Sequence, residues 1–418
     1  MLTYVLLTIA TVALAWVMRP GLELRRDPRG LRAGFRRGVC LFGIFALLFA
    51  VSALRVGIGN DYYKYVEFIN RITFDSYVPT EWGFNMLVKL CNLLFGPENY
   101  IAVFAVIAAA TLLIFLAALR NLSADFAVSF FLFMTLGFYF QTLNTIRYYL
   151  ALAIVLWGLR FLVSRTHTAF DAYSAHSGIR HSAADLLPDY ISFIITVLVA
   201  ALFHKSALLA IPMYLLIIVP LKSRRATITT MTIVTVVSAA VCASALLFRD
   251  RYIDLVVLLY PSYANVGPLE GGTSVAGIAR CVLALGLGGA ALWRASRNPA
   301  ATAVSPSGFP LQGTALLRVC LIANYYALLL YVFFAFLPQI SRLAYFLTVT
   351  QLLLVPEALA VFRYYIPRPV LALYAAVFLF GAAYFALFLR QASSDEIGIV
   401  PYQTYLFTEP RSYEGTWE

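Results

Sequence analysis

Cationic side chains and potential proton acceptors occur in the short polar breaks that interrupt a strongly apolar sequence. The residues in these breaks that could take part in chemistry or bind a polar ligand are Arg55, Asp61, Tyr62, Glu81, Asn144, Arg147, Tyr148, His204, Lys205 and Arg342. Arginine binds phosphate oxygens through two parallel hydrogen bonds, and His, Asp or Glu can remove a proton from a hydroxyl group. These residue types are therefore suited to binding a phosphorylated substrate and activating an acceptor hydroxyl.

Roles can be assigned to these residues from their chemistry. His204 is the first candidate for the general base and Asp61 the second, and Glu81 would orient the base or an acceptor hydroxyl. The residues predicted to bind substrate are Arg147 and Arg342, with Arg55, Lys205, Tyr148, Asn144 and Tyr62 in support. Each residue could instead have a purely structural role, because arginines at span ends can extend to lipid headgroups and carboxylates are common in loops.

The composition identifies the environment in which this chemistry would occur. The chain has 418 residues, of which 62% are hydrophobic and 12% are charged, and its mean hydropathy is +0.83. Soluble domains have about 25% charged residues, so a water-soluble enzyme is excluded. The net charge of +11 is interpreted as a topology signal, and no nucleic-acid partner is expected.

Hydropathy predicts an all-α, polytopic membrane protein with about twelve spans. The spans are expected near 2–18, 38–56, 99–119, 124–140, 143–163, 189–203, 205–220, 226–248, 276–294, 315–337, 342–362 and 369–389. The stretch Trp82–Phe95 is short and interrupted by polar residues, which favours an interfacial or re-entrant helix. The prediction is one transmembrane domain over 1–390 and an extracytoplasmic tail over 391–418.

Basic residues set the predicted orientation. The loop after the first span carries seven arginines between 19 and 37, and Lys and Arg are enriched in cytoplasmic loops. If this loop is cytoplasmic, the twelve spans place every candidate residue on the outer face, together with both termini. The tail, with Pro401 and Tyr402, is expected to fold back over the same face.

Glycosyl transfer from a lipid diphosphate fits this set of residues. The diphosphate is a good leaving group, and fixed arginines can offset its developing charge, so no metal or other cofactor is required. The histidines 167, 176 and 181 share one inner loop, and their spacing fits no compact zinc site.

Several short motifs resemble the EpsG family of Wzy-type exopolysaccharide and O-antigen polymerases. They are Arg55-Val-Gly-Ile-Gly-Asn60-Asp61, Glu81-Trp-Gly-Phe84, Asn144-Thr-Ile-Arg147-Tyr148-Tyr149, Phe203-His204-Lys205-Ser206, Ser341-Arg342-Leu-Ala-Tyr345 and Val400-Pro401-Tyr402. Two differ from the family pattern, since Tyr148 stands where the family has Gln and Asn60 where Thr is common.

The resemblance implies a metal-independent glycosyltransferase in the bacterial inner membrane, with a GT-C-like fold and a periplasmic site. Its substrates would be undecaprenyl-diphosphate-linked oligosaccharides, as donor and acceptor, and its partners a flippase and a chain-length regulator, the polysaccharide co-polymerase. Two other classes stay open at this point. A transporter or flippase of lipid-linked sugars would need charges at the membrane midplane and inverted repeats, and an O-acyltransferase acting on glycans would need a path for a cytoplasmic acyl donor.

Overall fold

The computed structural model of the chain describes residues 1–19, 31–168, 187–215, 224–259, 274–297, 313–337, 340–366, 369–392 and 397–407. The α-helices in these parts are α1 (Leu2–Val17), α2 (Leu31–Ala53), α3 (Tyr62–Thr73), α4 (Trp82–Phe95), α5 (Tyr100–Leu122), α6 (Phe126–Thr135), α7 (Phe138–Gln141), α8 (Ile146–Thr168), α9 (Leu187–Ala201), α10 (Ala210–Leu215), α11 (Arg224–Leu247), α12 (Arg249–Leu259), α13 (Val275–Ser296), α14 (Gly313–Phe333), α15 (Ile340–Thr348), α16 (Gln351–Tyr365) and α17 (Val370–Gln391). A 3-10 helix, Lys205–Leu209, precedes α10.

The prediction of an all-helical, polytopic membrane protein is confirmed. Seven spans in the described chain are long and apolar enough to cross a membrane, or eight if the pair α11 and α12, bent by 87°, is counted as one. The seven are Gly34–Ala53, Tyr100–Leu122, Ile146–Val163, Val275–Ala295, Leu316–Phe333, Ile340–Tyr365 and Val370–Gln391. Each overlaps a predicted span, whereas the total of about twelve and the GT-C-like arrangement stay predictions.

The remaining predicted spans correspond to shorter or broken helices. Shorter apolar helices occupy Leu2–Val17, Phe126–Thr135 and Pro188–Ala201. The predicted span 205–220 begins as the 3-10 helix and α10, and its last residues lie outside the described chain. The segment predicted to be a short helix is helical over Trp82–Phe95.

Two apolar segments are interrupted where the sequence predicts continuous helices. Gly137 adopts a φ of 82° between α6 and α7, a conformation that only glycine adopts without strain. The second break separates α15 from α16 at Val349 and Thr350. Asn324 of α14 donates a 3.1 Å hydrogen bond to the Thr350 hydroxyl, so a buried polar contact between helices stabilises this break.

Helix α8 is the centre of the part of the fold that carries the candidate residues. It packs against both α5 and α9, and its residues from Tyr148 to Leu156 are buried without exception. A helix that is apolar all round belongs in the interior of such a domain. Residues at the beginning of α8 are therefore held rigidly.

The described part of the tail folds back onto the end of α2. Residues 397–407 form an antiparallel bridge between Thr404 and Arg55. The Tyr402 hydroxyl donates to the Val51 carbonyl at 3.1 Å, and the Tyr4 hydroxyl of α1 donates to the Ile399 carbonyl at 2.7 Å. The segment thus joins α1 and α2 beside the loop that carries Asp61.

Candidate active site

Gly59 lets the loop after α2 lie directly on the turn before α8. Its φ is +92°, and a Cβ atom there would lie 2.7 Å from the Leu143 carbonyl oxygen. Its N–H donates to the Gly398 carbonyl at 3.0 Å, and the Asp61 N–H donates to the Asn144 side-chain oxygen at 3.1 Å. Asn144 therefore fixes the position of Asp61 through its backbone.

Gly83 does the same between the beginning of α4 and the turn after α9. Its N–H donates to the Leu202 carbonyl at 2.8 Å, and an added Cβ would lie 2.7 Å from that oxygen. This close approach places Glu81, the N-cap residue of α4, beside the segment of His204 and Lys205. The glycine of the Glu-Trp-Gly motif is thus explained by helix packing.

We expect Gly83→Ala to separate α4 from the turn after α9. The new Cβ meets backbone atoms that cannot rotate away, so the free energy of unfolding should fall by about 1–3 kcal/mol and Glu81 should move from its partners. Thermal unfolding and an assay of polymer length measure the two effects. Gly286→Ala, where a Cβ has no neighbour within 4 Å, is the matched control; equal behaviour of the two variants would contradict the prediction.

Glu81 links two of the predicted substrate-binding residues. It forms an ion pair with Arg147, at the beginning of α8, in which the two side chains are only 16% and 13% exposed. Its other carboxylate oxygen accepts a 3.1 Å hydrogen bond from the Lys205 N–H. Because both oxygens are used, Glu81 is placed to orient Arg147 and the His204 segment rather than to accept a proton.

Arg147 also lies against aromatic rings. Its guanidinium carbon is 5.6 Å from the ring centroid of Tyr65 and 5.3 Å from that of Phe84. Burial raises the pKa of the Tyr65 hydroxyl, with Arg147, Asp61 and Arg342 all close enough to influence it. Tyr65 therefore lies among these three charged groups and stays neutral at physiological pH.

Arg342, in α15, joins this group through Tyr148. The Tyr148 hydroxyl donates a hydrogen bond to the Arg342 backbone carbonyl, and its ring packs edge-on against the His204 imidazole at 5.3 Å. The Arg342 side chain is half-buried and forms no ion pair with any residue in the described ranges. Its guanidinium is therefore available for a ligand at this site.

His204 is a neutral imidazole in this environment. Burial lowers its pKa to about 3, and the charges of Arg147, Arg342 and Lys205 add to the effect. Its Nδ1 atom lies 2.7 Å from the Ser206 hydroxyl. If Nδ1 carries the proton and donates it to Ser206, Nε2 is left as the proton acceptor.

The low pKa of His204 predicts how stability changes with pH. Below pH 6.5 the unfolded chain binds a proton at this residue, whereas the folded protein does not until about pH 3, so stability falls as the pH is lowered through that window. At pH 4.5 the penalty should be ~3 kcal/mol. Unfolding of the wild-type protein and of His204→Asn, which can keep the contact with Ser206, should therefore differ in slope between pH 6.5 and 4. Parallel curves would contradict the assignment.

Asp61 is half-buried at the N-terminus of α3, and its side chain caps no N–H of that helix. It is close enough to the Tyr65 hydroxyl to influence its ionisation. The carboxylate is thus next to the ion pair of Arg147 and Glu81 without being part of it. This position is compatible with a second proton acceptor.

Arg55 contacts a different set of residues. It is 2% exposed, donates to the Ser52 carbonyl and lies 4.7 Å from the ring centroid of Phe104. Tyr62, predicted to bind substrate, is also buried here; it stacks on Phe104 and its hydroxyl is 3.0 Å from that of Tyr405. These contacts make Arg55 and Tyr62 supports for the loop of Asp61.

We call the group of Asp61, Tyr65, Glu81, Arg147, Tyr148, His204, Lys205 and Arg342 the arginine site. The sequence indicates Tyr65 only as one of several tyrosines that could form an interfacial belt or stack on sugar rings, and it gives no role to a further buried arginine, Arg280, near the beginning of α13. Tyr65 follows Asp61 by one helical turn, a spacing that places two residues on one face. Arg280 could have been found because it is a charged residue inside a predicted span, and such residues are usually functional.

The fold and the arginine site define a polytopic helical membrane protein with a cationic cluster where several helix ends meet. A family model described as the EpsG family matches residues 38–170 and 188–404, most of the chain, and the protein belongs to that family. EpsG is a Wzy-type polymerase-like family, so membership indicates a polysaccharide polymerase-type function. No curated protein and no solved structure matches the chain.

No group of three or more His, Cys, Asp or Glu side chains suited to a metal ion occurs in the ranges that the structure describes. The arginine site carries three cations, Arg147, Arg342 and Lys205, against two carboxylates, Asp61 and Glu81, and Arg342 has no ion-pair partner in the described ranges. The ligand chemistry that this site favours is therefore an anion.

Proposed function

We propose that the protein is a polymerase that transfers a growing glycan from undecaprenyl diphosphate to the non-reducing end of an incoming lipid-linked repeat unit. The observation that carries this proposal is the meeting of Arg147, Arg342 and His204 at one site. Two fixed cations suit a departing diphosphate, and the imidazole near both of them suits a hydroxyl that must lose its proton.

The proposed step is a single displacement. The acceptor hydroxyl oxygen bonds to the anomeric carbon of the donor glycan, and the bond from that carbon to the diphosphate oxygen breaks. The bonding electrons leave with undecaprenyl diphosphate, whose charge Arg147 and Arg342 offset, and the hydroxyl proton passes to His204. Such a displacement inverts the anomeric configuration. It is metal-independent, because the arginines supply the positive charge.

Substrate binding strengthens His204 as a base. In the free protein Arg147 and Arg342 help to hold its pKa at about 3, where it accepts protons poorly. A bound diphosphate between the two guanidinium groups would cancel much of their effect, and the pKa of His204 would rise. The base would thus become effective when the donor is in place.

The proposal places this reaction at the outer, periplasmic face of the bacterial inner membrane. The donor and acceptor reach the site within the bilayer, after a flippase has brought the repeat unit across. A chain-length regulator is the expected protein partner. The transmembrane domain over 1–390 carries the site, and the tail supports it by packing against the loop of Asp61.

Purified protein supplied with the lipid-linked repeat unit alone provides the test. A ladder of longer glycans on the lipid is the expected product. Unchanged lipid would contradict the proposal, and translocation without elongation would assign the protein to the flippase class. Glycans that gain acyl groups from an added acyl donor would assign it to the O-acyltransferases.

An exposed ion pair provides a matched control for this assay. Arg71 and Glu67 form a 2.7 Å pair on α3, with side chains 45% and 31% exposed. Arg71→Gln removes the same kind of contact as Arg147→Gln, but outside the arginine site, and such surface pairs contribute little to stability. We expect Arg71→Gln to make the full ladder.

A further inference from the structure

A second arginine is buried next to the arginine site without an acidic partner. Arg280, in α13, is 5% exposed, and its Nε atom has no hydrogen-bond partner. No carboxylate in the described part of the chain forms an ion pair with it. In the parts that the structure describes, no carboxylate therefore offsets this charge, and the side-chain hydrogen bond of Arg280 goes to Tyr345.

Three tyrosines from three other helices surround Arg280. Its guanidinium carbon is 5.8 Å from the ring centroid of Tyr345, in α15, and 5.2 Å from that of Tyr384, in α17. Tyr331, near the end of α14, is 1% exposed, and its hydroxyl is also buried without a hydrogen-bond partner. The Arg280 Nε atom and the Tyr331 hydroxyl, neither of which has a hydrogen-bond partner, thus lie together where four helices meet.

Such an arrangement costs stability unless a ligand completes it. Buried polar groups are nearly always hydrogen-bonded, and a charge inside a membrane domain is usually kept for function. A guanidinium and a phenol hydroxyl can both donate hydrogen bonds, and together they match the oxygens of a phosphate group. An anion with several acceptor oxygens fits this place best.

Arg280 and the three tyrosines around it lie next to the arginine site. Tyr345 and Tyr149 are each close enough to both Arg280 and Arg342 to interact with their charges. Tyr149 follows Tyr148 in α8, and Tyr345 lies one turn after Arg342 in α15. The arginine site and the surroundings of Arg280 are therefore neighbouring cationic sites, each with its own hydrogen-bond donors.

We propose that Arg280, Tyr331, Tyr345 and Tyr384 bind the diphosphate of the acceptor lipid, while Arg147 and Arg342 bind that of the donor. This inference rests on the proposed function, in which two lipid diphosphates are present at once. The acceptor reacts at the non-reducing end of its glycan, which is the end opposite its diphosphate. Its diphosphate must therefore be held apart from the reacting carbon, in a second site.

Counting bound lipids tests this inference directly. The full-length protein in nanodiscs of phosphatidylethanolamine and phosphatidylglycerol would be titrated with undecaprenyl diphosphate and analysed by native mass spectrometry. We expect two bound molecules for the wild type, one for Arg280→Gln and one for Arg147→Gln. Two molecules on Arg280→Gln, or fewer than two on the wild type, would overturn the inference. If Arg280→Gln lost a bound phospholipid but kept both molecules of undecaprenyl diphosphate, the inference would be overturned as well.

Arg294, on the same helix, provides a matched control. Its Nε atom is also buried without a hydrogen-bond partner, and its guanidinium carbon lies 5.6 Å from the Tyr365 ring centroid, at the other end of α13. We expect Arg294→Gln to bind two molecules. Tyr331→Phe, which removes only the unpartnered hydroxyl, should weaken the same binding event as Arg280→Gln and provides the test if the latter variant fails to fold.

Two further measurements separate binding from a structural role. Arg280→Gln should raise the apparent KM for a single repeat unit by ~10-fold or more, the loss expected for one charge-assisted hydrogen bond, with that for a preformed polymer donor unchanged. Its Tm without ligand should be unchanged or higher, because an unpaired buried charge is removed. A lower Tm with unchanged KM, or a raised KM for the donor, would overturn the inference. If no glycan ladder forms but Arg280→Gln still loses one lipid, the proposed function fails and the site stands.

Discussion

Replacing Arg147 with Gln should abolish elongation. Replacing Glu81 with Gln as well should restore thermal stability but not elongation. Arg147 is proposed to stabilise the leaving diphosphate, and loss of one such group lowers kcat by about 10²–10³-fold in other enzymes. The single variant also leaves Glu81 largely buried without its ion-pair partner. Since both side chains keep some exposure, we expect the free energy of unfolding to fall by about 2–3 kcal/mol.

The double variant Glu81→Gln with Arg147→Gln separates these two effects. With both charges removed, no buried carboxylate is left unpaired, and the Tm should return close to that of the wild type. The glycan ladder should stay absent. A double variant that regained elongation would show that Arg147 acts only by neutralising Glu81, and the diphosphate assignment would be wrong. Arg71→Gln with Glu67→Gln is the exposed counterpart and should leave both measurements unchanged.

The meeting of distant motifs could be predicted because the expected topology places their polar residues on one side of the membrane. Transferring a charged side chain into lipid costs free energy, so Glu81, Arg147 and His204 are expected together at one face of the membrane domain. Sequence spacing gave no reason to pair Glu81 with Arg147 in particular. The close approach of Gly83 to Leu202, between α4 and the turn after α9, likewise places Glu81 beside Lys205 without any signal in the spacing of the sequence.

Span boundaries were harder to predict, because a hydropathy window measures composition and not continuity. The break at Thr350 lies in an apolar sequence, and the Thr350 side chain accepts a hydrogen bond from Asn324 of another helix. The break at Gly137 likewise lies inside a predicted span. Tertiary contacts determine where these helices end, which is why overlapping spans were predicted correctly while their interruptions were not.

Arg55 and Arg280 show the same limit for single residues. Arg55 stands in a family-like motif and was predicted to bind substrate, but its burial against Ser52 and Phe104 gives it contacts that support a loop. Arg280 stands in no motif, and its significance comes from the tyrosines that three other helices bring to it. Residue type alone could not show which side chains surround each of these buried arginines.

Replacing His204 with Asn should lower kcat by about 10²–10⁴-fold, the usual contribution of a general base, with little change in lipid binding. Asn is chosen because its side chain can keep the contact that Nδ1 makes with Ser206. Single-turnover elongation with preloaded donor measures this step. If His204→Asn elongated at nearly the wild-type rate while Asp61→Asn lost activity, Asp61 would be the base.

The pH dependence of the wild-type reaction provides an independent check on His204. Because kcat/KM reports ionisations of the free protein and kcat those of the complex, a pKa of about 3 in the free protein predicts no histidine limb in kcat/KM between pH 5 and 8. In the complex the diphosphate offsets Arg147 and Arg342, so the acidic limb of kcat should move to higher pH. Both limbs at the same pH would mean that the bound diphosphate does not act on His204, and the proposed coupling between donor binding and base strength would be wrong.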